Sequence, residues 1–253
     1  MSNLEKTKNN IKKSKTKPID EVFHCKPKVK NPDAYKIEAS GDFLADFEDF
    51  VYSKGFTGLS YTTIEDEFKY KFDVDYENII LVRALIPPEI LKIEPNPHKH
   101  ELMDDDFQNI VVGLFECLDY LRENGFGAVM INPIDREMDL RNCIVKSNTA
   151  VKGRNNICIF PEGPNVVLFA ILCSIENLPF KESNDNLWIK EYCSNCGRCI
   201  KLCPENAFDE NENLIKRKCT GYKTGCGLCI VNCPFFSKGF DEIKSIYFKN
   251  IQK

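Results

Sequence analysis

Apolar residues recur at helical spacing over 42–53, where Phe43, Leu44, Phe47, Phe50 and Val51 share one face and Gly55 follows as a stop. That pattern predicts an amphipathic helix lying on a core. The run NIILVRALIP over 78–87 is apolar and branched almost throughout and is halted by Pro87-Pro88, as expected of a strand buried on both faces. A longer helix is predicted over 104–124. Phe107, Ile110, Val111, Leu114, Phe115, Leu118 and Leu121 form its stripe, acidic residues open it and Gly125 ends it. A short strand at 128–131 and a helix around 138–145 follow. The apolar segments 156–160 and 166–174, joined by Pro161-Glu162-Gly163-Pro164, read as a hairpin or a strand-loop-strand. Strands alternating with helices over 38–185 predict an α/β layer domain.

Past residue 188 the pattern changes from apolar periodicity to cysteine. Eight of the chain's 13 cysteines form two copies of one motif, Cys193-x2-Cys196-x2-Cys199-x3-Cys203-Pro204 and Cys219-x6-Cys226-x2-Cys229-x3-Cys233-Pro234. A cubane offers four iron corners. Three closely spaced thiolates on one loop reach three of them, and the cysteine before proline crosses to the other cluster in two-cluster ferredoxins. The spacing thus assigns Cys193, Cys196, Cys199 and Cys233 to one 4Fe-4S cluster and Cys219, Cys226, Cys229 and Cys203 to a second. Zinc needs only C-x2-C pairs and leaves the third cysteine and both prolines without a role. Disulfides need an oxidising compartment, and the polar, Lys-rich stretch 1–17 has no apolar core of a secretory signal. A reducing cytoplasmic setting is expected, and no apolar run approaches the roughly 18–20 residues of a membrane span.

Three regions result: a Lys-rich tail over 1–37, an α/β domain over 38–188, and a ferredoxin-type domain over 189–253. The last is expected to have little core of its own and to close with an amphipathic helix carrying Ile243, Ile246, Tyr247 and Ile251 inward. Residues 1–30 hold nine Lys against Glu5, Asp20 and Glu21, although the whole chain has a net charge of −4. Such a tail reads as solvated and disordered. The alternative is docking on nucleic acid or membrane through Lys6, Lys8, Lys12, Lys13, Lys15 and Lys17. Within the repeat, the six residues between Cys219 and Cys226 predict a second cluster seated in a loop enlarged by 220–225.

Read together, three stretches resemble the family that joins epoxyqueuosine reductase to the reductive dehalogenases. They are the cysteine pair with its lengthened gap and its Gly225-Cys226-Gly227-Leu228-Cys229 and Cys233-Pro234-Phe235 segments, the turn Gly153-Arg154-Asn155-Asn156 entering a strand, and Pro161-Glu162-Gly163-Pro164-Asn165 running into VVLFAILCSIENLP. The resemblance spans about residues 75–236. It implies an α+β chain with a nitroreductase-like domain before a small two-cluster domain. It also implies a cobalamin without a protein lower ligand, fed with electrons by the clusters. Gly153, Arg154 and Asn155 are then the cofactor-binding candidates. The family's catalytic carboxylic acid falls within 133–139, leaving Asp135 and Asp139 as candidates. Where the family has a glycine-rich approach to the corrin, Ser147-Asn148-Thr149-Ala150-Val151 has no glycine.

Outside the motifs, Cys117, Cys158 and Cys173 sit in apolar runs as small core residues. Cys143 lies on a mixed helix, and Cys25 sits in the basic arm, where a low-pKa thiol is conceivable. His98 and His100 flank Lys99 in a Pro-rich stretch expected to be an exposed loop. Three functions are compatible with the whole. The first is a reductase passing single electrons through two clusters to a corrin that reduces a small or tRNA-borne substrate. The second is a non-catalytic carrier exchanging electrons with a redox protein. The third is a donor that reactivates a partner's corrinoid.

Overall fold

Ser40 accepts a hydrogen bond from the Phe43 amide at 3.1 Å and so starts helix α1, Gly41–Ser53, at the edge of the apolar stripe. The computed structural model describes residues 25–65, 74–131 and 138–251. Residues 1–24, with His24 and the six tail lysines, and Asp135 lie outside them. After α1 come β1 (Gly58–Thr63), β2 (Asn78–Leu85), α2 (Pro88–Lys92), α3 (Pro97–Glu123), β3 (Ala128–Ile131) and α4 (Leu140–Lys146). Then follow β4 (Val151–Lys152), β5 (Cys158–Ile159) and β6 (Val166–Cys173).

Four strands form one sheet in the order β1-β2-β6-β3, antiparallel at every step. Six consecutive residues of β2 are buried, which is why its pattern shows no alternation. Ile80 and Val82 turn to one face and pack with Phe169 and Ile171 of β6 and with α1 and α3 through Phe47, Val51, Leu114 and Leu118. Ile79 and Leu81 turn to the other and meet Leu172 and α4 through Leu140 and Ile144. Helices therefore cover both faces of an antiparallel sheet.

Several expectations hold in type and shift in extent. The strand at 78–87 and the helix at 42–53 appear nearly as read. β1 was not foreseen; its GLSYTT sequence is short and polar, although its residues alternate buried and half-buried. The segments 156–160 and 166–174 do not pair with each other. β5 pairs with β4 in a separate two-stranded unit, and β6 takes the centre of the main sheet.

The largest departure is at α3, which starts at Pro97 rather than 104. Asn96 caps it, its side chain accepting from the Lys99 amide at 2.9 Å, with Pro97 at the first helical position. His98, Lys99 and His100 are thus helical. His98 is exposed as expected, His100 is half-buried, and Lys99 is 1% exposed.

The cysteine-rich segment consists of α5 (Trp188–Cys196), α6 (Arg198–Lys201), α7 (Gly221–Thr224), α8 (Leu228–Val231), α9 (Pro234–Ser237) and α10 (Phe240–Ile251). Contrary to expectation it has a core: Ile189, Phe235, Phe240 and Ile243 are buried together with Val151 and Ile159 of the β4–β5 hairpin. Trp188 sits at the centre of this aromatic group, 5.7 Å from the Phe240 ring and 5.1 Å from that of Tyr247. Of the closing helix, Ile243 is buried while Ile246 and Ile251 are exposed. The hairpin belongs to both cores in effect: Cys158 packs with α4 on the sheet side and Ile159 with the cysteine segment.

Candidate iron–sulfur centre and adjoining cleft

Each half of the cysteine repeat uses a left-handed glycine to turn from one short helix into the loop that carries its thiols. Gly197, at φ 61°, ends α5 immediately after Cys196 and leads into α6 with Cys199. Gly225, at φ 60°, ends α7 immediately before Cys226 and leads towards α8 with Cys229. Only glycine takes this conformation without penalty. Cys199 and Cys229 each lie within a short helix, α6 and α8.

The eight thiols fall into two groups. Burial pushes the Cys193 thiol up to about 12, and its neighbours Cys233, Cys199 and Cys196 push the same way. These four line one small enclosed cavity, together with Tyr192 and Arg154. Burial likewise takes Cys229 to about 12, reinforced by Cys199, Cys219, Cys226 and Cys203. Cys203, Cys219, Cys226 and Cys229 together line a second, larger space. Cys199 is therefore a close neighbour of both groups. Thiols crowded and desolvated in this way stay protonated alone and shed their protons only when a metal takes them up. None of the thirteen cysteines, all of them described residues, forms a disulfide. Among the described residues no three His, Cys, Asp or Glu side chains converge tightly enough for a single metal ion.

The enlarged 220–225 loop has a structural use. It coils into α7 and packs on the first turns of α3, with the Asn96 amide donating to the Thr224 carbonyl at 3.0 Å. Gly225 lies against Lys99, Met103 and the His100 amide, where a Cβ has no room. Lys99 donates from Nζ to the carbonyls of Leu91 and Ile93, 2.7 Å each, closing the C-terminus of α2. Burial lowers its pKa, and Cys226 and Glu94 oppose that shift.

The second cysteine group forms one wall of a cleft of about 400 Å3 that is mostly apolar, with Ile86, Phe107, Val167, Phe208 and Leu214 along it. His100, Asp104, Asp106 and Arg141 are among its polar groups, with Asn155, Glu205 and Thr220. His100 Nδ1 stands 3.1 Å from Asp104. Burial, with Glu89 nearby, raises the Asp106 carboxyl above the ordinary range. Sequence reading placed Lys99 and His100 in an exposed loop because it began the helix too late, and took Asp106 only as one of the acidic residues opening it. The Asn96-Pro97 start, with Met103 four residues before Phe107 on the same stripe, was the available signal.

The remaining candidates are placed as follows. Asp139 caps α4 and holds the Arg141 guanidinium with both oxygens, 2.7 Å to Nε and 2.7 Å to Nη2. Burial alone would raise its carboxyl, but the paired Arg141 outweighs this and holds it below the ordinary range. A carboxylate so held is poorly suited to donate a proton. Because its folded pKa is depressed, its contribution to stability is present above the ordinary carboxylate pKa and lost as pH falls through the folded value. Asp139→Ala should cost about 1 kcal/mol at neutral pH by chemical denaturation, with the difference from the parent chain shrinking in strong acid.

Gly153, Arg154 and Asn155 form the tip of the β4–β5 hairpin. Arg154 pairs with Glu212 and donates to the Ser194 carbonyl at 3.0 Å. Asn155 is buried; its Nδ2 lies 3.4 Å from the Cys229 carbonyl and its Oδ1 accepts from the Ile157 amide. The tip thus braces both cysteine loops. Cys117, Cys158 and Cys173 are core residues as expected, and Cys143, read only as lying on a mixed helix, is buried as well; burial raises all four thiols. Cys25 is half-buried and its pKa is raised by that burial, opposite to a reactive arm thiol. No helix among the described residues is long and apolar enough to cross a membrane.

Comparison with known proteins places this geometry in context. The 4Fe-4S binding domain family matches residues 187–209. An epoxyqueuosine reductase of Cyclobacterium marinum is 28% identical over 124 residues, which is 40% of this chain and 39% of that protein. A reductive dehalogenase solved in connection with B12-dependent dehalogenation superposes with a TM-score of 0.64 at 15% identity, over 87% of this chain and 36% of that one. An epoxyqueuosine reductase solved with an epoxyqueuosine-modified tRNA stem loop superposes with a TM-score of 0.53 at 14% identity, over 78% and 66%. The chain thus spans under half the length of the first two of these relatives.

Proposed function

Taking the chain as a relative within the epoxyqueuosine reductase and reductive dehalogenase family, we propose that it is an iron–sulfur oxidoreductase that carries electrons through two 4Fe-4S clusters to an acceptor in the cleft. Cys193, Cys196, Cys199 and Cys233 hold one cluster, and Cys203, Cys219, Cys226 and Cys229 the other. The observation that carries this reading is the sorting of the eight thiols into two neighbouring groups, each lining its own space, with Cys199 beside both. A bound cubane takes up or releases one electron at a time, at a potential set by its charge, hydrogen bonds and exposure.

The chain's own residues do the rest. Arg154 and Asn155 hold the two cysteine loops at one spacing, so the distance between the clusters does not drift. Tyr192 lines the first cavity beside Cys193 and Cys196. The Cys203 sulfur accepts from the Ala207 amide at 3.4 Å, a contact that stabilises thiolate charge. The first cluster has a groove beside Cys196, lined by Tyr247 and Ile246, from which a redox protein can deliver electrons.

The cleft residues suit a flat, largely apolar redox group such as a corrin edge. Phe107, Val167 and Leu214 give the apolar wall, and His100 beside Asp104 gives a polar edge for amide side chains. Its volume lies at the small end of ligand sites. The cofactor, a substrate that is small or carried on tRNA, and cytoplasmic residence all form part of this proposal. One observation favours the second reading, an electron carrier without corrin: the turn assigned by resemblance to the cofactor is spent on the cysteine loops.

Anaerobic purification with metal analysis decides between them. About eight irons per chain with a visible absorption that bleaches on reduction is the expected result, and stoichiometric cobalt after incubation with cobalamin marks the enzyme. Full iron without cobalt uptake marks the carrier. A colourless zinc protein would sink both.

A further inference from the structure

Lys99 is a charged side chain placed where charge is expensive, and its position relative to the second cysteine group gives that placement a use. It is 1% exposed. Its Nζ is held by two carbonyls that belong to α2, so the ammonium is fixed in place rather than free to reach solvent. Its stem lies against Gly225, the residue before Cys226, and the α7 loop is pinned to the same turn of α3 by the Asn96–Thr224 hydrogen bond. Among the described residues the first cysteine group has no buried cation in its cavity: Arg154 is neutralised by Glu212, and Arg198, which also lines it, is exposed and therefore screened. Glu94, the carboxylate acting on Lys99, is exposed and therefore screened.

We propose that Lys99 acts as a fixed positive charge that raises the reduction potential of the cluster held by Cys203, Cys219, Cys226 and Cys229 above that of its neighbour, so that an entering electron rests on the cleft side. The physical basis is the charge of the couple. A cubane with four thiolates is anionic when oxidised and gains one more negative charge on reduction, so a nearby cation stabilises the reduced form more than the oxidised. Burial keeps the interaction unscreened. The electron's path then runs from the groove beside Cys196, past Cys199, to the cleft, without further gating. This inference rests on the two-cluster reading of the site.

The test uses the reconstituted full chain, titrated with dithionite under anaerobic conditions and followed by electron paramagnetic resonance. The signal of the second cluster is identified by its change in Cys226→Ser. Lys99→Gln removes the charge while keeping a donor for the Leu91 and Ile93 carbonyls, and Lys99→Arg keeps the charge. At fixed potential, the reduced-to-oxidised ratio of the second cluster should fall about tenfold in Lys99→Gln, a shift of about 59 mV for a one-electron couple. The first cluster should not move, and Lys99→Arg should stay near the parent chain. Unchanged midpoints in Lys99→Gln at full iron content would overturn the proposal, as would an equal fall of both clusters. Loss of the second cluster's iron in Lys99→Gln but not in Lys99→Arg also counts against it, since the charge would then be structural. Failure of the parent chain to bind about eight irons overturns the two-cluster reading instead, which keeps the two failures distinct.

Discussion

Replacing Cys233 with serine is expected to empty the site of Cys193, Cys196 and Cys199, 34 to 40 residues away in sequence, and to spare the site beside it at Cys226 and Cys229. Iron should fall from about eight to about four per chain, with one of two reductive signals gone. The reason is positional. Cys233 lines the cavity of the first group and not the cleft of the second, and the neighbouring thiols acting on it are Cys199 and Cys196. Cys233 is also the buried member of the eight, tied to the aromatic core through the adjacent Phe235, so its sulfur cannot swing to the other group. If serine at 233 instead removed the signal dependent on Cys226, the two groups would have to be redrawn. The reciprocal change at Cys203 should strike the second site and leave the first.

The second large effect is on stability. Phe169→Ala should cost about 3–5 kcal/mol, a large share of the total for a domain of this kind. Phe169 lies in the centre of β6, fully buried, with the rings of Phe107 and Phe56 at 5.3 and 6.3 Å. The cavity left behind lies between the sheet, where β2 pairs with β6 at this position, and the packed helices α1 and α3, which resist collapse. Phe107 also faces the cleft, so its wall should loosen too. Equilibrium denaturation of the chain would read the loss. Ile246→Ala, at an exposed position on α10, should stay within about 0.5 kcal/mol and serves as the control. A small effect at Phe169 would mean that β6 is not central to the sheet.

How far the chain could be read before its structure was seen depends on whether a signal was local. The strand at 78–87 was legible because uninterrupted burial on both faces leaves only apolar residues, and α1 because its stripe ends at a glycine. The cysteine motif was legible because its ligand spacing is a local geometric requirement. The α3 start was legible in principle through Asn96-Pro97, yet three polar residues, His98, Lys99 and His100, masked it. Lys99 is polar in sequence but buried in fact, and what permits this is a pair of carbonyls at the end of α2, eight and six residues back, which the turn from α2 into α3 brings under its ammonium and which no pattern of residue types encodes. β1 gave too weak a pattern because its burial comes from Arg83 across the strand pair: the guanidinium lies over Gly58 and donates to the Leu59 carbonyl and the Ser60 hydroxyl. The core of the cysteine segment was missed for a related reason. Counted alone, that segment is poor in apolar residues, and its core is completed by Val151 and Ile159 from elsewhere.

The β4–β5 hairpin has a further consequence for how this chain can be rearranged. Lifting 189–253 onto another scaffold, as one would with a self-sufficient ferredoxin module, would strip Val151 and Ile159 from beneath Ile189 and Phe235 and remove the Arg154 and Asn155 braces. A working graft has to carry the hairpin along, although it lies some thirty residues upstream. For the same reason the two halves are poor candidates for independent exchange during recombination: the unit of inheritance is the pair.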